Sequence, residues 1–174
     1  LASWDLKSLE PAPFSVNVGT PIYSVALHEN LLMVGQSKGG IHIINRATKT
    51  EERHLKIHAI GVFDLLVNTA GNQLYSAGGD GSLGVFDLDD FRLQMQIPLA
   101  AKKLRSLSLS PDGKLLLVSS SNGYVYVVET SYMNELYNFK AHDNGAYSMT
   151  WVNGDVLVTG GKDAHLRFWK LNHE

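Results

Sequence analysis

The chain has 174 residues, a formal net charge of −2 at neutral pH and no cysteine. Disulfides, thiolate metal sites and a cysteine nucleophile are therefore excluded, and the weak charge argues against broad attraction to nucleic acid or an anionic membrane. The longest apolar runs, such as 115–118, are too short to cross a bilayer. We expect no nucleic-acid partner and no membrane partner, and the absence of cysteine fits a reducing compartment, so we predict a cytoplasmic location.

Short apolar and β-branched runs follow one another along the chain, separated by Gly, Asn, Asp and Ser. Two such runs come first, at 2–6 and 14–18, and a first complete unit follows at 22–57. In the unit 61–99 the runs 62–67, 74–77, 83–88 and 93–99 predict four strands, with a tight turn at 78–81. The unit 104–140 repeats this order, and its Asn122-Gly123 pair is a strong hairpin signal. The last unit, 146–171, ends after a third strand.

The third strand of each unit ends at equivalent positions 40 to 42 residues apart. The paired residues there are Trp4-Asp5, Ile44-Asn45, Phe86-Asp87, Val128-Glu129 and Trp169-Lys170. A period in this range indicates a repeat architecture. Runs such as 125–128 are apolar on both faces, as expected of sheets covered on both sides. The sequence therefore predicts an all-β fold, a single β-propeller over 1–174 with four four-stranded antiparallel blades and the edge of a fifth, divided at about 1–18, 22–57, 61–99, 104–140 and 146–171.

The repeat resembles the WD40 family. In that family a His before the first strand, an Asp in the turn between the second and third strands, and a Trp on the third strand join a Ser or Thr in a buried hydrogen-bonded set. The resemblance implies that such structural sets are formed by His58 and Asp80 with Phe86 in the Trp place, and by His142, Asp163 and Trp169. The other two complete units lack the His and the Trp. Two residues before each Asp, where the family's hydroxyl is expected, stand Gly78 and Gly161, so we expect both sets to be incomplete.

In WD40 proteins, partner contacts cluster on one narrow end of the propeller, the top face. The residues aligned with those contact positions at the entry of each first strand are Tyr23, Phe63, Arg105 and Tyr147. Lys103 lies two residues before Arg105, and Lys162 lies just before Asp163. Three aromatic side chains and three cations would form an amphipathic patch of the kind that partners bind. The alternative is that the aromatic rings pack between blades near the axis.

The predicted function is a non-catalytic scaffold that binds a protein or peptide. The alternative is a small-ligand-binding or hydrolytic propeller that uses its central channel, but Asp64 is the one carboxylate on the predicted innermost strands, and no Ser-His-Asp arrangement can be assembled there. We expect no cofactor and no metal site, because no second ligand recurs at metal-binding spacing near His58 or His142. The other five histidines are interpreted as strand-surface or terminal residues: His28, His42, His54, His165 and His173.

Ring closure has two explanations at this stage. Four wedges leave a gap in a ring of the usual seven blades, and exposed blade faces would be large apolar patches. Either the chain has companion blades, as part of a longer propeller, or two copies form a homodimer in which each lends 14–18 to the other's last blade.

Overall fold

The computed structural model describes residues 2–5, 7–8 and 11–171, and within them every regular element is a β-strand in an antiparallel sheet. Residue 6, the last of the predicted run 2–6, and His173 lie outside the described residues. The first sheet pairs β1 (Ala2–Trp4) with β2 (Pro11–Ser15), so the strand that we predicted at 14–18 begins and ends three residues earlier. No helix in the described residues is long and apolar enough to span a membrane.

Three four-stranded sheets follow, each with its strands side by side in chain order. The first comprises β3 (Ile22–His28), β4 (Leu31–Gln36), β5 (Gly40–Asn45) and β6 (Thr50–Lys56). The second comprises β7 (Val62–Asn68), β8 (Gln73–Gly78), β9 (Ser82–Asp87) and β10 (Leu93–Pro98). The third comprises β11 (Leu104–Leu109), β12 (Leu115–Ser120), β13 (Tyr124–Glu129) and β14 (Glu135–Lys140). The last sheet has three strands: β15 (Ala146–Trp151), β16 (Val156–Gly161) and β17 (Leu166–Lys170). We call the sheets beginning with β3, β7, β11 and β15 blades 1 to 4.

The core consists of apolar layers between successive blades. Ile41 and Ile43 of blade 1 share one buried cluster with Leu74 and Phe86 of blade 2. A second cluster joins blades 2 and 3, a third joins blades 3 and 4, and a fourth places residues of 14–18 against blade 1. The first strands contact one another in the order β3, β7, β11, β15. Because blades 1 to 3 pack on neighbouring residues along both faces, their second and third strands read as nearly continuous apolar runs. The predicted all-β propeller fold is confirmed.

A glycine closes the same turn, between the second and third strands, in blades 1, 2 and 3. Gly39, Gly81 and Gly123 have φ angles of 87°, 83° and 90°, a left-handed conformation that glycine adopts without steric cost. A Cβ atom on any of them would lie within about 2 Å of the carbonyl oxygen of the segment that leads into the next blade. These turns therefore let consecutive blades approach each other closely at one end of the propeller.

Candidate partner-binding face and buried hydrogen-bond sets

The same backbone hydrogen bond recurs in all four blades at the end of the propeller that carries the turns between the second and third strands. The N–H groups of Ser37, Gly79, Ser121 and Lys162 donate to the carbonyl groups of Pro21, Gly61, Lys103 and Gly145, at 2.8 to 2.9 Å. In each pair, the donor is the residue before the turn Asp position, and the acceptor is two residues before the strand-entry position. The repeat alignment made from the sequence thus brings equivalent residues to one face, which we call the top face.

Each strand-entry residue of the top face is the extra residue of a β-bulge. In blade 1, Ile22 pairs with Gln36 and Ser24 pairs with Gly35, so Tyr23 has no partner opposite it. The pairing skips the equivalent residue in the other three blades: Phe63, Arg105 and Tyr147. A bulge bends its strand and changes the direction in which the extra side chain points. Four equivalent bulges therefore direct four equivalent side chains away from the regular strand pairing.

The four side chains form one continuous stack across the blades. The rings of Tyr23 and Phe63 are stacked, with centroids 5.2 Å apart and planes 20° apart. The guanidinium carbon of Arg105 lies 4.5 Å from the Phe63 centroid and 5.0 Å from the Tyr147 centroid, within the range of a cation–π contact. We call this arrangement the aromatic–arginine ladder. It joins all four blades through side chains that the sequence predicted for partner binding.

The ends of the ladder are open to solvent and its centre is partly covered. Tyr23 is 50% exposed and Tyr147 is 43% exposed, whereas Phe63 and Arg105 are half-buried. Arg105 Nε donates to Ser121 Oγ at 2.6 Å, and none of the ion pairs among the described residues involves Arg105. Among the described residues, no carboxylate accepts from the remaining N–H groups of the Arg105 guanidinium.

The two predicted lysines differ in how close they lie to the ladder. Lys103 is exposed, with its ammonium nitrogen 5.6 Å from the Phe63 centroid. Lys162 is also exposed and belongs to the top face through its backbone bond to Gly145, but none of the ring or ion-pair contacts found in the described residues joins its side chain to the ladder. Five of the six predicted contact residues therefore contact one another through their side chains. The sixth, Lys162, lies on the same face through its backbone bond alone.

His58 is buried in blade 2 between a carboxylate and hydroxyl groups. Its Nδ1 lies 3.1 Å from Asp80 Oδ1, and its Nε2 lies 2.8 Å from Ser76 Oγ. The Ala59 N–H donates to the other carboxylate oxygen of Asp80, and Ser82 donates to Asp80 Oδ1. Although burial opposes the shift, the donors Ser82 and Ala59 hold the pKa of Asp80 below its usual value. Burial lowers the pKa of His58, and the nearby Asp80 charge only partly offsets this.

His142 forms the corresponding set in blade 4. Its Nδ1 lies 2.8 Å from Asp163 Oδ1, and its Nε2 lies 2.9 Å from Thr159 Oγ1, which also accepts a bond of 2.9 Å from Trp169 Nε1. Arg167 adds an ion pair of 2.8 Å to the second carboxylate oxygen of Asp163. Burial again opposes the shift, yet the bonds from His142, His165 and Asp143 lower the pKa of Asp163. With Asp163 as acceptor, His142 carries its proton on Nδ1, and Thr159 donates to Nε2.

The prediction that both sets are incomplete is wrong. The hydroxyl groups come from Ser76 and Thr159, four residues before each Asp rather than two, because the residue on the second strand that faces the His ring lies further from the turn. Gly78 and Gly161 instead make room for the ring. A Cβ atom at Gly78 would lie 2.1 Å from His58 Nδ1, and one at Gly161 would lie 2.2 Å from His142 Cγ.

The polar groups of the innermost strands connect blades to one another. Ser24 Oγ donates to the carbonyl of Val62 at 3.1 Å, which joins blades 1 and 2. Asp64 Oδ2 accepts a bond of 2.8 Å from the Leu107 N–H, which joins blades 2 and 3, and Asp64 Oδ1 accepts from the Leu65 N–H. Burial raises the pKa of Asp64, against the effect of these two donors. Asp64 is therefore the acceptor for two backbone N–H groups, one of them in the neighbouring blade.

His42 was interpreted as a strand-surface residue, and this is wrong. It is 6% exposed, on the face of blade 1 that packs towards residues 14–18. Its ring stacks on that of His54, with centroids 4.2 Å apart, and its Nδ1 lies 3.0 Å from Glu51 Oε2. The alternation of side chains along strands places His42 and His54 opposite each other, which could be seen only once the register of β5 and β6 was known.

Comparison with known proteins finds WD-repeat proteins and a WD40 family model. A family model described as the anaphase-promoting complex subunit 4 WD40 domain matches residues 91–154. WD repeat-containing protein 55 of Pongo abelii is 28% identical over 151 residues, which cover 86% of this chain and 39% of that protein. Transcription factor unc-37 of Caenorhabditis elegans is 27% identical over 173 residues, 98% of this chain and 28% of that protein. The chain thus spans well under half the length of these relatives.

Two solved structures resemble the fold. The computationally designed Ika4 protein superposes with a TM-score of 0.80 at 17% identity, covering 90% of this chain and 94% of the designed chain. A chain of a mitotic checkpoint complex superposes with a TM-score of 0.83 at 19% identity, covering 96% of this chain and 53% of that chain. At these identities the likeness concerns the fold alone.

Proposed function

Because this chain is a partial β-propeller made of WD40-type repeats, we propose that it is a non-catalytic scaffold whose top face binds a protein or peptide partner through the aromatic–arginine ladder. WD40 relatives support a protein-interaction role in general, and the family is generally not enzymatic. The observation that carries the proposal is that four equivalent bulges direct Tyr23, Phe63, Arg105 and Tyr147 into one stack. Packing alone does not require Tyr23 and Tyr147 to keep half their surface in water.

The chemistry of the ladder favours an acidic peptide segment with apolar side chains. Arg105 keeps N–H groups that a carboxylate can accept in two parallel bonds, and the rings on either side hold its guanidinium in place. Lys103 and Lys162 add two exposed positive charges on the same face. The rings of Tyr23 and Tyr147 offer apolar area at little entropic cost, as aromatic residues do at protein interfaces.

A direct test uses two labelled peptides of equal length, one alternating Glu with Leu or Phe and the other alternating Lys with the same residues. Fluorescence anisotropy should show binding of the acidic peptide, with affinity that falls as salt screens the charges. The Arg105→Ala, Tyr147→Ala double variant should weaken that binding at least tenfold, and the same variant should lose partners in pull-down experiments. Arg105→Lys should also weaken binding, because lysine lacks the planar group that stacks between two rings.

The matched control is Tyr132→Ala. Tyr132 is 75% exposed and follows β13 at the opposite end of blade 3, so its loss should leave the binding unchanged. Circular dichroism must first show that each variant keeps its β-sheet signal. If the folded double variant binds the acidic peptide and every captured partner as well as the original chain does, the proposed role of the top face is wrong.

We also propose that the outer faces of the first and last blades are covered in the assembled protein, by companion blades or by a second copy. Val25 and Leu27 on β3 are 49% and 54% exposed, and Leu166 and Phe168 on β17 are 73% and 68% exposed. Exposed apolar patches of this kind mark interfaces. Light scattering after size exclusion separates the alternatives, because a homodimer has twice the 19.1 kDa mass of the chain. The cytoplasmic location stays a prediction.

A further inference from the structure

Two histidines and a glutamate meet on one face of blade 1, away from the top-face ladder. One ring nitrogen of His42, one of His54 and one carboxylate oxygen of Glu51 all lie within 4.8 Å of one another. His42 is buried, whereas His54 and Glu51 are exposed, so the cluster is reachable from solvent at one side. Neither the WD40-type hydrogen-bond sets nor the ladder uses any of these residues.

A bulge in the outer strand brings the glutamate to the histidines. His42 pairs with His54 and Ile43 with Arg53, but Ile44 then pairs with Glu51 instead of Glu52. Because side chains alternate between the two faces of a strand, a regular ladder would place Glu51 on the opposite face from His42. The extra residue at Glu52 reverses this, and Glu52 bonds to Asn45 instead.

The buried histidine has a ring nitrogen without a partner. His42 Nδ1 lies 3.0 Å from the Glu51 carboxylate, which can only accept, so that nitrogen carries the proton and Nε2 keeps its lone pair. Among the described residues, nothing donates to His42 Nε2, although the atom is shielded from solvent. Buried polar atoms are almost always hydrogen-bonded. When His42 and Glu51 bind one ion together, the ring proton moves from Nδ1 to Nε2, and Nδ1 becomes the ligand atom beside the Glu51 oxygen.

The second imidazole sits in a space that a glycine leaves open. A Cβ atom at Gly40 would lie 2.4 Å from His54 Nε2 and 2.2 Å from Gln36 Nε2. The Gln36 amide contacts His54 Nε2 at 3.0 Å, and because an amide nitrogen donates, His54 Nε2 also presents a lone pair. A cavity of about 310 Å³ opens beside His54. Its lining includes Gln36, Gly40, Lys38 and Lys56 but neither His42 nor Glu51, so it gives solvent access to the second imidazole alone.

We propose that His42, His54 and Glu51 bind a divalent transition-metal ion of borderline softness, with Zn²⁺ as the best fit. Two imidazoles suit Zn²⁺, Cu²⁺ and Ni²⁺, whereas Ca²⁺ and Mg²⁺ prefer oxygen ligands only. Three protein ligands leave one position of a tetrahedral zinc ion to water. The ion ties β5 to β6 beneath residues 14–20, so its role is to hold the outer half of blade 1 together.

Binding requires a small rearrangement of the site. The two rings lie nearly parallel, with planes 12° apart, so their in-plane lone pairs do not point at a common position. The ligand atoms of a tetrahedral zinc ion are about 3.4 Å apart, which is closer than the 4.8 Å limit that encloses the present cluster. Binding therefore requires the exposed His54 ring to turn and to leave the Gln36 amide that its Nε2 now contacts.

The test is a titration of the untagged chain with ZnCl₂, followed by calorimetry and thermal unfolding. We expect saturable binding of one equivalent and an unfolding temperature that rises with the zinc concentration, since a ligand that binds only the native state stabilises it. His54→Gln and Glu51→Gln change exposed side chains, and each should weaken zinc binding at least tenfold. The control is His28→Gln, which removes a histidine outside the cluster and should bind zinc as the original chain does.

Cobalt gives a second measurement that does not depend on stability. Co²⁺ bound by two imidazoles and a carboxylate in a tetrahedral site should produce visible absorption bands that excess Zn²⁺ removes, and His54→Gln should abolish them. The proposal is overturned if one equivalent of zinc produces neither heat nor a change in unfolding temperature. It is equally overturned if the His54→Gln, Glu51→Gln double variant binds zinc with unchanged affinity, because the binding would then be at other surface histidines.

Discussion

The blade that contains His58 and the blade that contains His142 hold the same ring in the same place, but different groups complete the bonding around it. In both, Nδ1 faces the turn carboxylate and Nε2 faces a hydroxyl on the second strand. Blade 4 adds Trp169 and Arg167 around this core. Blade 2 has the buried, apolar Phe86 in the Trp place and adds Ser82 and Gln96 instead. The comparison indicates that the His, Asp and hydroxyl form the essential set and that the aromatic position tolerates a ring without a donor.

Removal of either His ring should have the largest effect. His58→Ala and His142→Ala each leave a buried hydroxyl without the nitrogen that accepts its proton and a carboxylate with one donor fewer, and they also remove a ring that is at least 94% buried. We expect each to lower the free energy of unfolding by about 3 kcal/mol, measured by urea denaturation. If the two sets are equivalent, the two losses should agree within about 1 kcal/mol.

His165→Ala is the control for both variants. The His165 side chain is 67% exposed, although it lies next to Asp163, and its removal should change the unfolding free energy by at most about 0.5 kcal/mol. A loss below about 1 kcal/mol for His58→Ala, alongside a full loss for His142→Ala, would show that the set without a tryptophan contributes little.

Serine at Gly78 or Gly161 should be the next most damaging change. The family pattern read from the sequence suggests that Gly161→Ser would complete the set of blade 4. The structure predicts the opposite, because the added Cβ would overlap the ring of His142, and the hydroxyl is already supplied by Thr159. We expect a loss of about 2 kcal/mol from overpacking. A stabilised Gly161→Ser variant in thermal unfolding would contradict this account.

Most of the fold could be predicted from the sequence because the signals for it are local. The period of 40 to 42 residues, the apolar runs and turns such as Asn122-Gly123 each depend on neighbouring residues, and the predicted strand 62–67 lies within β7. The ladder positions could be predicted for a related reason, since equal places in equal units must lie at equal places on one face. This requires no knowledge of how strands are paired.

The features that were missed depend on strand register. Ser76 and Thr159 reach the histidines from the neighbouring strand, so their distance along the chain says little about their distance in space. Glu51 joins His42 only because of the bulge at Glu52, and simple alternation would have placed it on the other face. A signal did exist in the sequence, since β6 reads as polar on both faces and carries His54, but it could not identify the facing residue.

Replacement of Trp169 by Phe would sharpen the comparison between the two blades. In blade 4, Trp169→Phe removes one hydrogen bond of 2.9 Å to Thr159 but keeps an aromatic ring against Phe139. Because Thr159 retains its bond to His142, the expected loss is about 1 kcal/mol in urea denaturation. A loss as large as that of His142→Ala would show that the tryptophan N–H is essential to the set, contrary to what blade 2 implies.

The smallest predicted effect is a fall in the unfolding free energy in mild acid, to which His58 of blade 2 contributes. Because burial lowers the pKa of His58 below its usual value of 6.5, the unfolded chain takes up a proton there at a higher pH than the native chain does. The unfolded state then binds more protons, so the unfolding free energy falls as the pH drops below about 6.5 and levels off below the native pKa. Asp80 contributes in a separate pH range: its lowered native pKa adds stability above about pH 4 that is lost in stronger acid.

Urea denaturation at pH 7.5 and 5.5 should show that the unfolding free energy falls less in His58→Gln than in the chain that keeps His58. Both chains carry His54→Gln, because the pKa of His54 is lowered too. An equal fall in both chains would mean that the His58 ring is not held neutral by its blade.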